Sequence, residues 1–328
     1  MGPVPTPRVC IVSPALAAAN NGNWHTAARW QAFLAPLADV DIRAVGAEDD
    51  AADLLIALHA RRAAPSIARW RARRPEAPLV LVLTGTDLYR DLEVDADARH
   101  SLECASRIVV LQEAALARLD RASRARAQAI VQSAPSLRAT HGRRDADLVA
   151  VGHLREEKDP GTLLRAARLL ASDASSPTIA HVGAALDEGL AQDARATMAA
   201  CPAYRWLGAL DHAAARRTIA RARALVHPSR IEGGANVVVE AVRSGVPVLA
   251  SRIDGNVGLL GADYDGTFPV GDAHALAALI RRFLADDAFA GHLRAQCAAR
   301  EPLFRPTVER RAVQKLAAAL LPAARRAR

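Results

Sequence analysis

What most constrains this chain is a recurring unit: a short apolar run that enters a polar or glycine-bearing turn and is followed by a segment with helical spacing. Leu79-Val80-Leu81-Val82-Leu83 shows it most clearly, ending on Thr84-Gly85-Thr86-Asp87. A strand that is apolar at every position is buried on both faces, as in a parallel sheet covered by helices on each side. Residues 9–12, 40–45, 54–58, 108–111 and 129–131 repeat the pattern, and Trp30, Phe33, Leu34 and Leu37 give residues 26–37 an apolar helical face. The fold class is therefore α/β. Parallel strands place their carboxyl ends on one edge of the sheet, where ligands bind. Gly22 and Asn23 in the turn after the first run, His59, Arg61 and Arg62 after the third, and Thr84, Thr86, Asp87 and Arg90 after the fourth all come to that rim.

Between residues 133 and 145, Pro135, Gly142 and a cluster of polar residues predict a domain boundary. The strand pattern restarts at 148–151 and returns at 178–182, 204–207, 224–226, 246–250 and 267–270. The expectation is two doubly wound parallel-sheet, Rossmann-like domains. The first spans residues 1–140, the second 146–300, and a C-terminal helix within 301–328 packs back on the first.

Within the second domain, residues 228–250 carry the most chemistry. Glu232 and Glu240 flank the Gly233-Gly234 pair, and Ala235, Asn236 and Val237 then open a predicted helix closed by Gly245, with Pro247 just beyond. Val237, Val238 and Val239 by themselves favour a strand. A glycine-rich turn at a helix start presents unpaired N–H groups and partial positive charge, which suits an anion. Glu232 and Glu240 can accept hydroxyl hydrogen bonds on either side of a bound phosphate, and together these groups suit a nucleotide sugar.

Composition narrows the function further. The net charge of +8 would fit a polyanion ligand, but the arginines are scattered through helical segments and the few aromatics form no stacking platforms between them, so nucleic acid is not an expected partner. Of 43 basic residues only Lys158 and Lys315 are lysines. A lysine kept in so arginine-rich a chain points to a site that uses a compact ammonium on a flexible stem, with Lys158 the candidate, although Lys315 on the terminal helix is kept with no such role in view. Cys10, Cys104, Cys201 and Cys297 have no C-x-x-C spacing, which fits a reducing cytoplasm and neither a zinc site nor a disulfide framework. Residues 9–12 are too short for a signal-peptide core, the Met1-Gly2 start with Thr6 matches a myristoylation pattern of chance frequency, and no apolar run approaches membrane-spanning length. Asp95-Ala96-Asp97 and Asp145-Ala146-Asp147 fit Asp-x-Asp, but neither follows a buried strand, so no metal or other cofactor is expected.

Gly152-His153-Leu154-Arg155-Glu156-Glu157-Lys158, the later Glu232-x7-Glu240 and the Gly245-Val246-Pro247-Val248 strand entry resemble the GT-B glycosyltransferases of family 4 over nearly the whole chain. That resemblance implies two Rossmann-like domains facing a cleft, with the nucleotide-sugar donor on the second. It implies that Lys158 and a nearby arginine hold the donor diphosphate, that Glu240 holds the ribose and that Glu232 contacts the transferred sugar. Gly22, Asn23, His153, Arg155, Arg230, Gly233, Gly234, Ala235, Asn236 and Val237 complete the implied donor site. Two positions depart from the family pattern. His153 stands where an arginine is usual, leaving Arg155 or Arg252 to supply the charge, and Thr84 stands where many members carry a histidine before Gly-Thr-Asp.

A narrower resemblance is to the selenosugar synthases of selenoneine biosynthesis, carried by Leu58-His59-Ala60-Arg61-Arg62, Thr84-Gly85-Thr86-Asp87-Leu88-Tyr89-Arg90-Asp91, Glu232-Gly233-Gly234-Ala235-Asn236-Val237 and Asp254-Gly255-Asn256-Val257-Gly258. It implies transfer of the sugar of a UDP-sugar, typically UDP-N-acetylglucosamine, to selenophosphate. Glu232, Lys158, His59, Thr86 and Asp87 are then the expected catalytic group, and His59, Arg61, Arg62, Thr84, Thr86 and Arg90 the acceptor site. An anionic selenium nucleophile needs cations more than a strong base, so the loss of a histidine at Thr84 is tolerable. A family-4 enzyme making an O- or N-glycoside, a nucleotide-sugar epimerase and a non-catalytic nucleotide-sugar-binding protein are the alternatives.

Overall fold

The computed structural model describes residues 6–19, 21–137, 146–173 and 176–321. The Met1-Gly2 pattern, Asp145 of the second Asp-x-Asp and most of the expected 133–145 boundary lie outside the described residues. The chain forms two compact units. One is built from the chain up to Gln132 together with the chain from Pro306 onwards, and the other is Ser133–Arg305. The change of unit at Ser133 precedes residue 140 because Ala134 is held within the second unit, its N–H donating to Phe304 O (3.2 Å) and its carbonyl accepting from Arg243 Nε (2.8 Å).

The first unit is a six-stranded parallel sheet of β1 (Arg8–Ser13), β2 (Asp39–Ala44), β3 (Leu54–Leu58), β4 (Leu79–Leu83), β5 (Arg107–Val110) and β6 (Ala127–Ala129), ordered β2-β1-β3-β4-β5-β6. Pleat alternation divides its core into two faces. Cys10, Leu55, Leu81 and Ile108 pack with Ile67 and Trp70 on one side. Ile11, Ile56, Val82 and Val109 pack with Trp30, Leu34 and Val313 on the other. The last strand begins two residues earlier than its apolar pattern, and Ile130 N–H continues the ladder to Val110 O at 2.9 Å. The first helix, Gly22–Leu34, starts four residues before the expected Thr26 because Asn21 Oδ1 caps the N–H groups of Asn23 (3.1 Å) and Trp24 (3.2 Å). The helix Pro306–Ala318 packs on it, fastened by buried Glu309, which accepts from Trp30 Nε1 (2.8 Å) and Arg29 Nε (2.7 Å).

The second unit repeats the plan with β7 (Leu148–Val151), β8 (Ile179–Val182), β9 (Tyr204–Trp206), β10 (Ala224–His227), β11 (Val248–Ser251) and β12 (Thr267–Phe268), in the order β12-β11-β10-β7-β8-β9. Strand order reverses between β7 and β10, and the crevice at the carboxyl ends of such a pair is where doubly wound sheets bind ligands. Residues 236–243 are helical despite the three valines, because Val238 and Val239 are buried and packing outweighs their strand preference. Gly245, at φ 74°, takes the left-handed position that ends the helix, with Gly245 N–H bonded to Val242 O (3.0 Å) and Val246 N–H to Ala241 O (2.9 Å). One acid of each Asp-x-Asp serves the fold: Asp95 caps the helix Ala96–Cys104, and Asp147 accepts from Thr178 N–H (3.0 Å) and Oγ1 (2.9 Å).

Candidate active site

In the second unit the turns after β7 and β10 meet at the point of strand reversal. The backbone N–H groups of Arg230 and Ile231 donate to Glu157 O (2.9 and 3.4 Å), fixing one turn on the other. Lys158 Nζ then lies 2.5 Å from Glu232 Oε1. Asp159 adopts a left-handed φ of 45°, caps the helix Pro160–Leu170 and forms an ion pair with Arg230, whose Nε lies 3.3 Å from Oδ2. A non-glycine residue in that region is strained, and here hydrogen bonds from Thr162 and the ion pair with Arg230 hold it, next to Lys158.

Burial by itself would raise the Glu232 carboxyl, but the Lys158 ammonium and the His227 ring hold it far below the usual carboxylate range. His227 Nε2 lies 3.3 Å from Glu232 Oε1 without hydrogen-bond alignment, and its ring is buried. Beneath Glu232 the backbone passes so close that a Cβ on Gly255 would stand 2.2 Å from Glu232 O. Only glycine fits at that contact.

The helix Asn236–Arg243 begins with Ala235 at its N-cap, in extended conformation and with no side-chain cap bond. Alanine is a poor cap, so the first N–H groups, beside Gly233 and Gly234, stay open to an anion. Glu240 is buried one helical turn further on, with Oε1 accepting from His212 Nε2 at 2.6 Å. His153 Nδ1 accepts Ala184 N–H at 3.1 Å, and burial together with Arg155 and Lys158 lowers its pKa. The ring is therefore a neutral Nε2–H donor at the position where the family pattern expects arginine. Arg155 Nε lies 3.9 Å from Glu157 Oε2, in the same turn. Arg252 is turned away, bonding Thr267 Oγ1 (3.3 Å) and Ala262 O (3.4 Å).

The first unit gathers a second cluster at the ends of β3 and β4. His59 is buried at φ 75°, its Nδ1 accepts Arg62 N–H (3.3 Å), and its Nε2 faces Thr86 Oγ1 (3.0 Å). Burial lowers the His59 pKa against the opposing pull of Asp87, so the neutral ring carries its proton on Nε2 and donates it to Thr86. Asp87 is wholly buried and accepts the N–H groups of Gly85 (2.7 Å), Thr84 (2.9 Å) and Ala60 (2.9 Å), tying the two turns together. Asp91 receives Arg61 Nε (2.9 Å) and Arg90 Nε (3.1 Å). Burial would raise its carboxyl, yet those bonds keep it below its ordinary value. Gly22 and Asn23 stand at the start of their helix, after β1, the neighbour of β3 in the sheet.

Three residues were not singled out by the sequence: His227, His212 and Asp91. His227 is the last residue of β10 and so sits on the ligand-binding edge, which is a readable signal. His212 and Asp91 act through partners far along the chain or within an irregular turn, and no spacing announces them. Among the described residues no group of three His, Cys, Asp or Glu is arranged to hold a metal ion, and no helix is long and apolar enough to cross a membrane.

The family model for Glycosyl transferases group 1 matches residues 137–301, half of the chain. No curated protein matches in sequence. Among solved structures, a sucrose-phosphate synthase from Thermosynechococcus elongatus aligns with a TM-score of 0.75 at 17% identity, covering 96% of this chain and 99% of its own. HepE from Anabaena, solved in complex with UDP and glucose, aligns with a TM-score of 0.77 at 15% identity over 95% of this chain and 100% of its own. The pneumococcal O-GlcNAc transferase GtfA, in complex with UDP and GlcNAc, gives 0.65 at 17% identity over 81% of this chain and 56% of its own. At these identities the likeness is one of fold, and the two six-stranded parallel sheets match the GT-B architecture of these neighbours.

Proposed function

This chain belongs to the group 1 glycosyl transferases, and from that premise we propose that it transfers the sugar of a UDP-sugar, UDP-N-acetylglucosamine in the first instance, to selenophosphate. The selenium attacks the anomeric carbon, the bond from that carbon to the diphosphate oxygen breaks, and UDP leaves with the electron pair. Water then cleaves the phosphorus–selenium bond, releasing phosphate and the selenosugar, which would serve selenoneine biosynthesis.

On the donor side, Lys158 and the neutral Nε2–H of His153 contact the diphosphate with the open helix start at Asn236 and Val237, Glu240 takes the ribose, and Glu232 faces the transferred sugar. The co-crystallised UDP and glucose of HepE and UDP and GlcNAc of GtfA support a UDP-sugar as the donor.

The observation that carries the acceptor reading is that every carboxylate of the first-unit cluster is engaged. Asp87 is occupied by backbone N–H groups and Asp91 by two arginines, while His59 Nδ1 accepts Arg62 N–H. No idle base faces the rim in this cluster, whereas Arg61, Arg62 and Arg90 bring positive charge to it. An acceptor that is already an anion suits that arrangement better than a neutral hydroxyl awaiting deprotonation. Asp87 acts as a positioning residue in this scheme, and Thr86, whose hydroxyl oxygen is held by His59, donates to the acceptor.

Purified protein supplied with UDP-N-acetylglucosamine and selenophosphate should release UDP and form a carbon–selenium bond, read from the anomeric proton of the product by NMR. Release of UDP only with a sugar or lipid hydroxyl would replace this reading with an O-glycoside-forming one. Tight UDP binding without turnover on any acceptor would make the chain a binding protein.

A further inference from the structure

The two carboxylate oxygens of Glu240 are treated differently by the fold. The residue is 5% exposed within the helix Asn236–Arg243. Its Oε1 is held at 2.6 Å by Nε2 of His212, the first residue of the adjacent helix His212–Ala220. That helix start is itself fixed, since Asp211 Oδ1 caps Ala214 N–H at 2.7 Å. Among the described residues Oε2 takes no hydrogen bond, nor is it one of the buried unpartnered atoms, so it remains open to a ligand.

A glutamate side chain has three rotatable bonds, and ordering it on binding reduces affinity. We propose that His212 is a positioning residue that sets ribose specificity: by clamping Oε1 it presents Oε2, already oriented, to a ribose hydroxyl of the bound nucleotide. The inference rests on the reading that Glu240 faces the ribose. A held, largely desolvated oxygen gains strongly from a hydroxyl and is left unpaired by a ligand that lacks one, which is how a buried polar group rejects a deoxy analogue. Without the clamp, Glu240 can swing towards solvent and the penalty for the deoxy ligand fades. His212, two-fifths exposed, can be replaced without opening the core.

The test is the ratio of dissociation constants for 2′,3′-dideoxy-UDP and UDP, measured by calorimetry on each protein. The wild type should prefer UDP. His212→Ala should lower that preference by roughly tenfold, the value of one charge-assisted hydrogen bond. His212→Gln, whose amide can donate from a similar distance, should keep more of the preference than alanine does. Because the ratio compares two ligands on one folded protein, a general loss of stability leaves it unmoved. An unchanged preference in His212→Ala overturns the proposal alone; if that variant does not fold, a preference lost completely in His212→Gln does the same. Equal binding of the two nucleotides by the wild type, or binding of neither, overturns the ribose reading of Glu240 and this proposal with it.

Discussion

Lys158 Nζ and Glu232 Oε1 stand 2.5 Å apart, joining the turn after β7 to the turn after β10 at the strand reversal of the second sheet. The pair is largely enclosed, with side-chain exposures of 20% and 11%. Lys158→Ala therefore acts twice. It removes a cation from the proposed diphosphate site, so UDP affinity measured by calorimetry should fall at least tenfold. It also strands a carboxylate, destabilising the protein by about 2 kcal/mol, below the range for fully buried pairs because Lys158 reaches solvent.

The same pair makes a pH prediction. The folded-state pKa of Glu232 is depressed by Lys158 and His227 despite burial, so its stabilisation is present above the ordinary carboxylate range and is lost as pH falls through the folded value. Urea denaturation of wild type and Lys158→Ala should therefore show a stability gap that is widest near neutrality and narrows as pH falls below about 4.

Gly255 offers a test of geometry without charge. An alanine Cβ there would meet Glu232 O at 2.2 Å, so the turn carrying Glu232 must move. Gly255→Ala should lose about 1–3 kcal/mol of stability to overpacking and lose nucleotide affinity as well. Gly291, on a helix surface with nothing near its Cβ position, is the control, and Gly291→Ala should leave both properties intact.

His181, buried beside Tyr204 with Nδ1 and the hydroxyl 2.8 Å apart, has its pKa lowered to about 4 by burial. A histidine that stays neutral when folded favours the native state above its ordinary pKa and loses that advantage as pH falls towards the folded value. In a Tyr204→Phe background, His181→Leu should spare the protein up to about 3 kcal/mol of the stability lost between pH 6.5 and 4, as read by urea midpoints.

In the first unit, Trp30 Nε1 donates to buried Glu309. Trp30→Phe keeps the ring packing and removes that donor, so thermal unfolding should report a loss of about 1–2 kcal/mol. UDP affinity should change little, because Lys158, His153, Glu232 and Glu240, the proposed contacts to the nucleotide sugar, all lie in the other unit.

How much of this was legible in the sequence depends on what each feature rests on. Strands such as residues 79–83, buried on both faces, announce themselves by being apolar throughout, and the helix at 236–243 was marked by Gly245 more than by its own residues. The Lys158–Glu232 contact follows from strand order, which reverses between β7 and β10 and so brings together turns 74 residues apart. Roles set by local bonding were not readable. Asp87 looks like a catalytic acid in the string Thr-Gly-Thr-Asp, and only its three backbone donors turn it into a brace between loops. His212 and Asp91 gain their meaning from Glu240 and from Arg61 and Arg90, partners that no spacing predicts.

The return of residues 306–318 to the first sheet makes the second unit an insertion in the first. On the ribosome, the helix Gly22–Leu34 can cover part of its face of the first sheet, but the part that packs with Val313 and Leu316 stays uncovered until the whole second unit has been synthesised. Nascent first-unit chains should therefore bind chaperones that recognise exposed apolar surface, and completion of the last helix should release them.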